Sequence, residues 1–60
     1  MNYFYDTTGK SGELTADNDK EAITRIEARC DLAGVKPVAI YKEENGDLVE
    51  IKNYKVPVTV

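Results

Sequence analysis

One stretch of this chain reads as a helix, and it lies between two groups of strand-like segments. Asn18 can cap its start, and Glu21, three residues on, can reach back to the cap amide. Asp17 is the alternative cap. Asp19 and Glu21 suit the positive end of the helix dipole. Ala22, Ile23, Ile26, Cys30 and Ala33 fall within about a quarter of the circumference at roughly 100° per residue. Gly34 can take the left-handed stop conformation, and Pro37 forbids resumption. The pattern predicts a helix over 19–33 with one apolar face, which the flanking segments must cover.

Those segments have strand character. Residues 3–6 are rich in strand formers and 13–16 alternate polar with apolar, with a turn containing Gly9 and Gly12 between them. Residues 38–42 and 48–52 form a second pair, joined through Asn45-Gly46, whose residues tolerate the positive backbone angles of a tight hairpin. The expected fold is α+β: a single domain over 1–60 in ββαββ order, one helix packed on an antiparallel sheet. Tyr54, Val56, Val58 and Val60 then alternate with Lys55, Pro57 and Thr59, predicting an extended segment over 54–60. Pro57 lacks an amide donor and confines it to a sheet edge or tail. It either returns to its own sheet or adds to the sheet of another chain. The apolar phase is odd at Val49 and Ile51 and even from Tyr54, which predicts a bulge or break near Asn53.

A chain of 60 residues buries only about 60% of its unfolded surface, so its core has little stability to spare. The lone Cys30 excludes an internal disulfide, leaving oligomerisation or a partner as the route to extra stability. A free thiol, the absence of a signal-like start at Met1-Asn2-Tyr3-Phe4-Tyr5 and the absence of a long apolar run predict a soluble cytoplasmic protein with no membrane contact.

The chemistry on offer is narrow. There is no histidine, so every Ser-His or Cys-His nucleophile is excluded, and Cys30 lies on the apolar helix face as a small core residue. Gly9-Lys10-Ser11 resembles the end of a phosphate-binding loop, but the required earlier glycine is Phe4. Asp17-Asn18-Asp19 opens like a calcium loop, yet Ala22 and Ala28 stand where its glycine and bidentate glutamate belong. No catalytic residue, metal or cofactor is assigned, and an enzyme is not expected.

Charge and tyrosine are the informative excesses. The net charge is −3, with a local −3 over 13–21 and −4 over 43–50. Glu43, Glu44, Asp47 and Glu50 around the second hairpin are therefore candidates to face a basic partner surface, while such potential argues against direct nucleic-acid binding. Four tyrosines invite a contact role for Tyr3, Tyr5 and Tyr54, joined by Val56 and Val58 of the apolar tail. Tyr3 and Tyr5 share one strand face and Phe4 takes the other, so one aromatic set is expected to stay partly exposed.

The run Gly12-Glu13-Leu14-Thr15-Ala16 followed by Glu21-Ala22-Ile23 resembles the strand-to-helix junction of many small α+β modules, including the soluble N-terminal domains of type II secretion inner-membrane proteins. It covers fewer than half the residues, and no functional residue is carried across. In class, a short acidic α+β chain without catalytic groups resembles the phage-encoded inhibitors of host defence, anti-CRISPR proteins among them. A more specific version of the acidic binding reading is an inhibitor presenting carboxylates where a basic cleft expects phosphates. The expected function is a non-catalytic acidic protein-binding module, an inhibitor or adaptor. The alternative is a small structural or homo-oligomeric subunit, for which the partner is a second copy.

Overall fold

Five elements succeed one another in the computed structural model, which describes residues 1–56: β1 (Asn2–Thr7), β2 (Gly12–Thr15), α1 (Asp19–Ala33), β3 (Pro37–Glu44) and β4 (Asp47–Asn53). The strands form one antiparallel sheet in the order β2-β1-β3-β4, with the helix against one side. This is the predicted ββαββ α+β fold, and element ends lie within two residues of those expected.

Local chemistry explains the helix ends. Asn18 is extended at φ −156°, and its side chain accepts a hydrogen bond from the Glu21 amide at 2.8 Å. Glu21 does not complete the reciprocal capping box. Its carboxylate pairs forward with Arg25 at 2.7 Å, one helical turn on. At the other end Gly34 is left-handed at φ 72°. Its amide donates to the Asp31 carbonyl, and the Val35 amide donates to that of Cys30 at 3.0 Å. Val35 thereby turns back onto the core, whereas Ala33, expected on the buried face, is exposed.

The buried helix line is Ala22, Ile26 and Cys30, with Ile23 half-buried beside it. It meets Tyr3, Leu14 and Ile40, which register brings to one side of the sheet: Tyr3 pairs with Leu14, and Tyr5 with Ile40. Tyr5 also pairs with Gly12, and its phenol lies over that residue. A Cβ at Gly12 would meet Cε1 of Tyr5 at 3.0 Å and the hydroxyl closer still. Gly12→Ala is therefore expected to displace Tyr5 from the core edge and cost about 1–3 kcal/mol, read as a lowered denaturation midpoint.

Asn45 and Gly46 both have positive φ, 53° and 85°, as a two-residue hairpin of this hand requires. The predicted phase slip exists but falls earlier than Asn53. Tyr41 pairs with Glu50 and Ile40 with Lys52, leaving Ile51 as the extra residue of a bulge. The bulge puts Ile51 and Lys52 on the helix side, where Ile51 packs on the core and Lys52 reaches Glu27 at 3.5 Å.

The C-terminal strand predicted from 54 onward is interrupted within its described part. Tyr54 donates its amide to the Val38 carbonyl and packs on the core, but Lys55 has φ 55° and its amide donates to the Asn53 side chain at 2.8 Å. That local turn competes successfully with extension. Pro57, Val58 and the rest of the tail lie outside the described residues.

Candidate functional site

Among the described residues the helix covers one side of the sheet and no second layer covers the other, although Ala39 on that other side is buried. Strand alternation assigns Asn2, Phe4 and Asp6 of β1, Glu13 and Thr15 of β2, Ala39, Tyr41 and Glu43 of β3, and Leu48 and Glu50 of β4 to the open side. The central row across all four strands reads Glu13, Phe4, Tyr41, Glu50: two aromatic residues flanked by a carboxylate on each side. Phe4 and Tyr41 are each partly exposed, and Leu48 in the next row is 57% exposed. Asn2 holds Glu43 in that same row through its amide, at 3.2 Å. Asp6, on the other side of the central row, accepts from the Ser11 hydroxyl at 2.9 Å.

Four of the eleven acids occupy this face, while none of the eight bases takes a strand position on it. The two strand lysines point the other way: Lys42 lies 3.9 Å from Asp19 on the helix, and Lys52 reaches Glu27. The helix arginines go to an edge. Arg25 and Arg29 donate to the Thr15 and Glu13 carbonyls at 3.4 Å, covering backbone acceptors that the edge strand β2 leaves unpaired. The opposite edge, β4, is guarded by Asp47, Glu50 and the bulge.

The hairpin acids are all exposed but do not form one patch. Glu43 and Glu50 belong to the open face, whereas Glu44 and Asp47, paired with each other across the turn, belong to the helix side. Tyr3 is not available to a partner. It is fully buried, and its hydroxyl donates to Asp19 at 2.7 Å. Burial first, then that hydrogen bond to a carboxylate, pushes its pKa up to about 12. Tyr5 is half-buried over Gly12 on the same side. Tyr54 is also turned inward, donating to Glu27 at 2.8 Å beneath Lys52, whose ammonium lies 4.7 Å from the ring centroid. Burial and Glu27 raise its pKa well above the ordinary tyrosine range. Val56 is half-buried, and Val58 is not among the described residues. The aromatic pair that does remain open, Phe4 and Tyr41, together with Asp6 and Glu13, is not singled out by the linear pattern. The signal for it is strand parity combined with sheet order.

Other candidates resolve into structural roles. The Thr7 hydroxyl accepts from the Gly9 and Lys10 amides at 3.0 and 2.9 Å and donates to the Lys10 carbonyl, so the first turn's amides are already engaged. Burial pushes the Cys30 thiol up, away from the reactive thiolate. Among the described residues no three acids or thiols converge to hold a metal ion, and no helix is long and apolar enough to cross a membrane.

Fold and surface together define a small α+β protein with one helix, a four-stranded antiparallel sheet and, among the described residues, an acidic sheet face with two partly exposed aromatic residues opposite the helix. No protein-family model, no curated protein and no solved structure matches the chain.

Proposed function

We propose that the chain is a non-catalytic protein-binding module that captures a basic protein surface with the open face of its sheet, acting as an inhibitor or adaptor. The observation that carries this reading is the segregation of charge: Asp6, Glu13, Glu43 and Glu50 surround Phe4 and Tyr41 on a face with no strand-borne base. A buried aromatic centre with a charged rim is the anatomy of a protein interface, and a single-sign rim selects partners of the opposite sign. A second copy docking by the same face would bring like charges together, which favours a different protein as partner. The more specific version is a mimic that presents carboxylates to a cleft built for phosphates.

Capture from extracts of the native cell tests the reading through paired variants. Glu13→Lys combined with Glu50→Lys is expected to abolish salt-sensitive recovery of the captured protein and to slow its association about tenfold or more at low ionic strength. Glu44→Lys combined with Asp47→Lys, on the helix side, should change it far less. Equal loss from both pairs, or from neither, would overturn the assignment of the open face.

A further inference from the structure

We infer that the open face discriminates between cations and takes arginine, rather than lysine, from its partner. This rests on the acidic-face reading and adds the chemistry at its centre. In the row Glu13, Phe4, Tyr41, Glu50, each aromatic residue has the other on one side and a carboxylate one strand away on the other side, about 5 Å across the sheet. Both aromatics are partly exposed, and among the described residues no cation of the chain is seated on either ring. Among the described residues the one ammonium seated on a ring is Lys52 on Tyr54, on the opposite side of the sheet.

A guanidinium is planar, weakly hydrated and forked. Lying on Phe4 it can direct parallel N–H donors to Glu13, and lying on Tyr41 it can do the same to Glu50, so stacking and charge-assisted hydrogen bonding occur in one pose. An ammonium is compact and strongly hydrated, and it gains from the carboxylate while keeping its water. Glu13 and Glu50 stand at the two ends of the row, about 14 Å apart by three strand spacings, so one cation cannot serve both. The row is matched to two arginines on the partner, one for each aromatic and its adjacent carboxylate.

Two blocked nonapeptides of equal charge, nine arginines and nine lysines, test this by titration into the labelled full chain at low salt. The arginine peptide is expected to bind several-fold more tightly and to shift the amide signals of Glu13, Phe4, Tyr41 and Glu50. Tyr41→Leu, which keeps an apolar side chain over the sheet, should cut the arginine preference while leaving lysine-peptide affinity unchanged, and signal dispersion verifies that this variant is folded. Glu13→Gln with Glu50→Gln should weaken both peptides. Equal affinity for the two peptides at the open face would overturn the arginine selection and leave the acidic docking face standing. Shifts confined to Glu44, Asp47 and the helix would overturn both.

Discussion

Ile26→Ala is expected to lower the unfolding free energy by about 2–5 kcal/mol, a large share of what so small a domain possesses. Ile26 is fully buried at the midpoint of the helix line, between Ala22 and Cys30 and against Tyr3 and Ile40. Its helix neighbours in the core are small, so they cannot close over the space that truncating its sec-butyl side chain leaves, and the cavity cost adds to the lost burial. Chemical denaturation reads the effect directly. Leu32→Ala supplies the contrast on the same helix: Leu32 is 91% exposed, and its loss should change stability by less than about 0.5 kcal/mol. Equal midpoints for Ile26→Ala and the parent chain would reject the assigned helix face.

Alkaline unfolding is the second large effect. The Tyr3 phenol ionises near 10 when exposed but is held up to about 12 in the fold by burial and by Asp19. The protonated phenol is the form the native state favours, so its contribution is complete below about pH 10 and disappears as pH rises from 10 to 12. Within that window stability should fall with a slope approaching about 1.4 kcal/mol per pH unit for this one group. Tyr54, raised in the same direction by burial and Glu27, extends the decline to higher pH. Phenolate absorbance should therefore rise cooperatively with loss of helical circular dichroism. Tyr3→Phe should flatten the decline between pH 10 and 12, and an unchanged pH dependence in that variant would sink the explanation.

The parts of the fold that were readable along the chain are those fixed by neighbours in sequence. Asn18 and Gly34 bound the helix through contacts within four residues, and Asn45-Gly46 closes its hairpin alone. Placement of the bulge was not readable to the residue, because its position answers to a distant demand: Ile51 must reach the core and Lys52 and Tyr54 must reach Glu27 on the helix. The fate of Tyr3 was hidden for a related reason. Both faces of β1 carry aromatics, and only pairing with Leu14 on one side and β3 on the other decides that the Tyr3 face receives the helix. The candidate site was least legible of all. Glu13, Phe4, Tyr41 and Glu50 are scattered along the chain, and the order β2-β1-β3-β4 is what sets them side by side. The charge runs visible in sequence mixed residues of opposite faces, Glu44 and Asp47 with Glu43 and Glu50, because alternation along a strand separates neighbours that the linear sequence groups together.

The sorting of charge by strand parity also makes the molecule an oriented electrical object. Side chains on the open face carry −4, and the remaining seven acids and eight bases together carry +1. The excess negative charge therefore sits on one side of the sheet. At about 0.15 M salt the screening length is ~8 Å, so a charged body nearing that face of the sheet feels its four carboxylates while charges elsewhere on the molecule are already damped. A torque acts before any contact does. Toward a basic partner of the kind proposed above, that torque would turn the chain face-first during diffusion and raise the fraction of collisions that begin in the docking orientation.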